Sequence, residues 1–251
     1  MPAPPATWRY RKRRRAVVLL FLVLAVIVLV VGQILRNDET AGAVPQQPAA
    51  AAPLDGAPHQ ARGKAPAAGF AFTPGYGPVL GSAGRLRRFK VAVERRLRPG
   101  DAADFAGEVD RVLGDPRSWI AGRQFRLRRV PAAVGAEFTV YLASAGTSER
   151  MCAGGGLRTE GFTSCRLPGR VIINSERWVD AVPGYGAPLA VYRAYAINHE
   201  VGHQLGHGHE ACTGRGEPAP VMMQQTFGLR GCVANAWPYL RGARYAGNPV
   251  N

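Results

Sequence analysis

Five histidines occur in the chain's 251 residues, and four of them, His199, His203, His207 and His209, fall within eleven consecutive positions. Imidazoles at that density point to a bound metal ion. His199 and His203 are four residues apart, so on an α-helix both rings leave one face about one turn apart and can share an ion whose bonds to nitrogen are about 2.0–2.1 Å. His207 cannot join them on an unbroken helix, because eight residues at roughly 1.5 Å each carry it about 12 Å from His199 along the axis. Gly206 readily takes the left-handed conformation that ends helices, and Gly208 loosens the chain again, so the backbone can turn back and bring His209 under the ion. His199, His203 and His209 are therefore the expected metal ligands, with His207 a close neighbour. Glu200, beside the first ligand but rotated round the helix, is placed to take a proton from water at the metal and to pass it to a leaving amine. A coordination position left for water or substrate separates such a site from a closed structural one, and the four cysteines, which form no CxxC pair, do not compete for the ion.

The elements that must hold these groups are legible around them. At about 100° per residue, Ala190, Ala194, Ile197, Val201 and Leu205 form one apolar stripe, while Tyr192, Tyr195, His199 and His203 lie opposite. The pattern predicts a helix with its back in a core and its front on a cleft, Pro188 in its first turn and Gly206 at its end.

His199-Glu200-x-x-His203-x-x-Gly206-x-x-His209 resembles the zinc signature of the metzincin metallopeptidases. That family carries a methionine-containing turn beneath the metal after the third histidine. Pro220-Val221-Met222-Met223-Gln224-Gln225 is similar to it, with Met222 the favoured match to the methionine and Met223 the alternative. The resemblance implies Zn2+ as cofactor, Glu200 as catalytic base and a peptide or protein substrate. It implies an α+β fold in which a mixed sheet with helices and an active-site helix sits over an irregular lower lobe. In that plan one strand borders the cleft and pairs with extended substrate. Several such families place a tyrosine two residues after the turn methionine to stabilise the oxyanion. Gln224 stands there instead, which leaves Tyr239, Tyr245 or no residue in that role. Residues from about 80 to 251 also resemble an uncharacterised family of bacterial membrane-anchored domains bearing this motif.

The rest of the chain reads in four segments. Residues 1–15 form a basic tail that ends in Arg11-Lys12-Arg13-Arg14-Arg15, and residues 16–35 run without a charge. About 20 apolar residues suffice to cross a bilayer, and the basic flank stays cytoplasmic, so we expect a single-pass anchor with the folded domain outside. A cleaved signal ending near Ala41-Gly42-Ala43 is the competing reading, and it too exports the domain. Residues 36–78, rich in Ala, Pro and Gly, read as a disordered linker, and residues 79–251 as the folded domain. Within it, Arg85–Glu94, Gln124–Val130, Glu137–Leu142 and Arg170–Asn174 read as strands and Asp101–Leu113 as a helix.

Cys152, Cys165, Cys212 and Cys232 all follow the membrane segment, where disulfides form, and the short Gly-, Ser- and Thr-rich loops favour Cys152–Cys165 and Cys212–Cys232. The net charge of +15 falls to +9 (23 basic, 14 acidic) from residue 79 onward. The basic residues are spread along strands without interleaved aromatics, so a nucleic-acid partner is not expected. The resulting expectation is a membrane-anchored extracytoplasmic zinc endopeptidase. The alternatives are a non-catalytic zinc-stabilised binding module and a zinc amidase acting on cell-wall peptides.

Overall fold

The computed structural model describes residues 69–97 and 101–250. The basic tail, the expected spanning helix over 16–35 and all but the end of the expected linker lie outside these residues. No helix among the described residues is long and apolar enough to cross a membrane.

Strand β3 (Arg85–Glu94) is the axis of a seven-stranded mixed sheet. It runs parallel to β4 (Phe125–Arg129) on one side and to β5 (Phe138–Ala143) on the other, and β5 runs parallel to β7 (Arg170–Asn174). Two short antiparallel strands form the edges, β2 (Val79–Leu80) beside β4 and β6 (Cys165–Leu167) beside β7. The parallel links need crossovers, which helices α1 (Asp101–Gly114) and α2 (Ala145–Ala153) help supply. A third helix, α3 (Ser175–Asp180), follows β7, and α4 (Leu189–Gln204) carries the first two histidines.

Side chains on a strand alternate between faces, and the central strands use both. Val91, Val93, Val140, Leu142, Val171 and Ile173 point into the main core, which α1 and α4 close with Phe105, Val109, Leu113, Ile197 and Val201. Ala92, Tyr141, Ala143 and Ile172 point the other way, into a smaller core shared with Cys152 of α2 and with Cys165 and Leu167 of β6. The sheet is thus a middle layer, and the histidine-bearing helix α4 packs on the side of the larger core. After α4 the chain is mostly irregular, with a two-residue hairpin of β8 (Tyr239–Leu240) and β9 (Ala243–Arg244).

The folded part begins earlier than residue 79. Strand β1 (Phe70–Phe72), inside the expected linker, pairs antiparallel with Ala92–Glu94, the half of β3 that β4 does not reach. Phe70 packs edge-on against Tyr141 at 5.0 Å, which anchors a strand too short to show an alternating pattern. The helical wheel of α4 also needs correcting, since its middle is buried on both sides, Tyr192 at 2% exposure, while Ala190 is exposed.

Both expected disulfides are present, Cys152–Cys165 and Cys212–Cys232. The first ties edge strand β6 to α2 across 13 residues of sequence. A closed loop of that size lowers the entropy of the unfolded chain by about 3 kcal/mol. Replacing Cys152 and Cys165 together by Ala should therefore cost about that much stability in denaturant titrations, and a loss below about 1 kcal/mol would mean that the bridge does not constrain the chain.

Candidate metal centre

The metal helix ends as its glycine requires. Leu205 closes α4, and Gly206 takes φ +100°, a conformation that glycine reaches without strain. The amide of His207 then donates to the carbonyl of Gly202 at 3.0 Å, and the chain reverses. This brings His209 back to the helix. Nε2 of His203 lies 3.2 Å from Nε2 of His199 and 3.1 Å from Nε2 of His209. The three ligand atoms lie within 4.8 Å of one another. Nitrogens sharing one tetrahedral zinc at the bond lengths above stand roughly 3.3 Å apart, so the donor set fits such an ion.

The protonation of two rings follows from their backbone partners. Nδ1 of His199 faces the carbonyl of Val221 at 2.8 Å, and Nδ1 of His203 faces that of His207 at 2.8 Å. A carbonyl only accepts, so each Nδ1 carries the hydrogen and each Nε2 presents a lone pair. Two lone pairs 3.2 Å apart repel unless a cation or an added proton lies between them. Burial opposes the proton, since it lowers the affinity of His199 to about 3, with the neighbouring imidazole of His203 adding to it. Burial likewise lowers His203 and His209.

His209 is gripped from two sides. The amide of the next residue, Glu210, donates to the carbonyl of Met222 at 3.1 Å, while the carbonyl of His209 accepts from Val250 at 3.0 Å. The Glu210 carboxylate pairs with Arg244 at 2.6 Å and accepts from the Gly247 amide at 3.2 Å. The C-terminal residues thereby act as a strap behind the third ligand.

Met222 is wholly buried and sits against Gly202 of α4, whereas Met223 packs apart with Ala219 and Cys232. A Cβ on Gly202 would collide with the sulfur of Met222 and with the ring of Trp119, whose Nε1 donates to the carbonyl of Asn198 at 2.8 Å. Trp119 in turn stacks on His207 at 4.3 Å, which gives that histidine a place beside the site.

Glu200 is buried at 6% exposure on the wall of a cleft of about 560 Å³ that also contains His199, His203 and His209. Desolvation raises its pKa to about 8. Neither Tyr239 nor Tyr245 lines this cleft. The Tyr239 hydroxyl lies against Gly122, and that of Tyr245 donates to the carbonyl of Pro218 at 2.9 Å. Gln224 itself lines the cleft, as do Tyr195 and Thr226. Tyr195 donates to the carbonyl of Met223 at 3.2 Å and accepts from the Gln225 amide at 2.9 Å, so its hydroxyl locks the methionine segment onto α4. Sequence reading placed Tyr195 on the histidine face but missed Arg158, Arg166 and Thr226, none of which belongs to a motif.

The class this defines is an α+β domain with a three-histidine candidate metal centre and one buried carboxyl in the same cleft. The chain belongs to the DUF3152 family of proteins of unknown function, whose model matches residues 55–236. No curated protein and no solved structure matches it.

Two outcomes test this construction. Gly202→Ala should weaken metal binding and cost about 1–3 kcal/mol by overpacking, read by metal titration and thermal unfolding, and a variant indistinguishable from the parent would show that the contact is soft. The second concerns pH in the metal-free protein. The Glu200 pKa lies above its ordinary 4.5, so the stability it contributes is complete below pH 4.5 and lost as pH rises through about 8. The His199 pKa lies below its ordinary 6.5, so its contribution is present above pH 6.5 and lost as pH falls toward 3. Between pH 4.5 and 6.5 the two slopes oppose, and from pH 6.5 to 8 only the Glu200 loss remains. Glu200→Gln should flatten that alkaline limb in unfolding measurements, and an unchanged limb would place its origin elsewhere.

Proposed function

We propose that the protein is a zinc-dependent endopeptidase, held to a membrane by its N-terminal segment and working outside the cytoplasm. The observation that carries this reading is the convergence of three imidazole nitrogens, two of them with lone pairs fixed by backbone carbonyls, beside a buried glutamate in an open cleft. The similarity of residues 199–209 and 220–225 to the metzincin signature supports zinc and peptide hydrolysis. Both disulfides support an oxidising compartment.

His199, His203 and His209 would hold the zinc, which would supply Lewis-acid polarisation of a carbonyl and a lowered pKa for water at the site. The remaining work belongs to the chain. Glu200 takes the proton of the attacking water and returns it to the leaving amine, and its burial keeps that proton from bulk solvent. Val221 and His207 hold two ligand rings in the required tautomer. Strand β6 forms the sheet edge at the cleft, with Cys165 and Arg166 in its wall, and an extended peptide can add there as a further strand.

The non-catalytic module keeps one observation in its favour, since Gln224 replaces the oxyanion tyrosine and neither Tyr239 nor Tyr245 reaches the cleft. A single comparison separates the readings. In a peptide-library assay the zinc-loaded parent should cleave, and Glu200→Gln should be slower by roughly 10²–10⁴-fold while binding zinc at the same stoichiometry. Stoichiometric zinc without cleavage of any peptide by the parent would overturn the peptidase and leave the binding module.

A further inference from the structure

The endopeptidase reading leaves the choice of substrate open, and the charges of the cleft bear on it. Glu200 is the only carboxyl among the residues lining the cleft, while Arg158 and Arg166 both line its β6 side. Neither guanidinium forms an ion pair among the described residues. Uncompensated cations flanking a cleft attract anionic groups and raise their local concentration.

Arg166 is held by its own side chain, and Arg158 by the loop that carries it. Cys165 and Leu167 turn into the smaller core, so alternation along β6 sends Arg166 to the opposite face, toward α4. There its Nε donates at 3.0 Å to Oε1 of Gln204, the residue after the second histidine, and Oε1 also accepts from the Gly169 amide at 3.2 Å. Arg166 is thereby tied to the metal helix with its terminal nitrogens left over. Arg158 stands exposed on the loop between α2 and β6, which the Cys152–Cys165 bridge closes. That loop is pinned again by the Glu149 carboxylate, which accepts from the Thr159 hydroxyl and from the amides of Thr159 and Gly161. Asn174 of β7 adds a bond to the Gly161 carbonyl at 2.7 Å. Positions fixed in advance reduce the entropy lost on binding.

We infer that the cleft selects peptides bearing a carboxylate, which Arg158 and Arg166 hold on the β6 side of the metal centre. This rests on the peptidase reading for its chemistry but not for its binding. An Asp or Glu side chain and a peptide's C-terminal carboxylate offer the same group, and Arg grips either through paired N–H donors.

The test uses the full-length protein in detergent, loaded with Zn2+, and matched peptides carrying Glu, Gln or Lys at each position around the cleaved bond, as C-terminal acids and as amides. One position should favour Glu over Gln by about tenfold, the size of one charge-assisted hydrogen bond. Arg158→Gln with Arg166→Gln should bring that ratio to near one, and Arg166→Glu should turn it toward Lys. Arg158→Gln alone, at an exposed side chain, should lower the ratio with the thermal unfolding curve unchanged. A preference in the amide peptides assigns the carboxylate to a side chain, and one confined to the acids assigns it to the chain terminus. A parent ratio near one, or a ratio that survives in the double variant, overturns the inference.

Binding of the same labelled peptides to the metal-free Glu200→Gln protein, followed by fluorescence anisotropy, separates the two levels. If no peptide is cut but Glu still binds better than Gln through Arg158 and Arg166, hydrolysis fails and the inference stands. Equal binding of the two without cleavage ends both. Retention of an anionic wall polymer that the acidic peptides cannot displace also overturns it, by giving the arginines a different ligand.

Discussion

Three ring nitrogens are gathered within 4.8 Å of one another, and two of them face each other as lone pairs. His199 and His203 each give their only ring hydrogen to a carbonyl, so the atoms facing one another at 3.2 Å are both acceptors. In water such a pair would rotate apart or take up a proton. Here the rings are packed, and burial lowers the proton affinity of both. The arrangement suits a cation, with the repulsion between that pair borne by the folded state. Without the two carbonyls the Nε2 atoms would carry no fixed protonation and the cluster would be an ordinary group of histidines.

Much of the surrounding structure serves to keep those carbonyls and rings where they are. The Val221 carbonyl belongs to the methionine segment, which Tyr195 locks to α4 through its hydroxyl. The His207 carbonyl exists at its position only because Gly206 reverses the chain. Asn198, fully buried one residue before the first ligand, accepts from the Ser118 hydroxyl at 2.8 Å and donates to the Ala236 carbonyl at 3.0 Å. Those two bonds tie α4 to the segment after α1 on one side and to the C-terminal half on the other. A lost bond at such a depth leaves a polar group unpaired, which costs more than the bond itself contributes.

The sequence reveals most where chemistry and periodicity coincide. The spacing of His199 and His203 and the need for a turn at Gly206 lead to the same three ring nitrogens that the fold brings together. The runs at 85–94, 124–130, 137–142 and 170–174 correspond to β3, β4, β5 and β7, alternating with arginine in β4 and largely buried on both faces at the end of β3 and through β5 and β7. Short elements escaped. β1 and β6 have three residues each, too few to establish a period, and both depend on partners that are distant in sequence. Helix α2 has a small, mixed composition, Ala-Gly-Thr-Ser-Glu-Arg-Met-Cys-Ala, whose local preferences do not exceed those of a loop. Tyr239 and Tyr245 looked available by type alone, but a hydroxyl's partner is decided by where an irregular segment folds, and no spacing rule governs that. Tyr192 of α4 shows the same limit, since a polar ring reads as cleft-facing until Tyr185 and Thr226 are found against it.

Strand β6 joins these themes. An open edge is a hazard in a sheet, because its unpaired amides and carbonyls recruit any extended chain. This edge is only three residues long, carries Arg166 at its centre and is fastened by Cys165 to α2, all features that discourage indiscriminate pairing. It also lies in the wall of the cleft that holds the three histidines. The parallel centre of the sheet is sealed by helices and needs hydrophobic residues on both faces, so no such opening can occur there. An antiparallel edge laid over the end of α4 is therefore where this fold can admit an extended chain without unburying its core. The contact between Arg166 and Gln204 keeps that edge in register with the helix that carries His199 and His203.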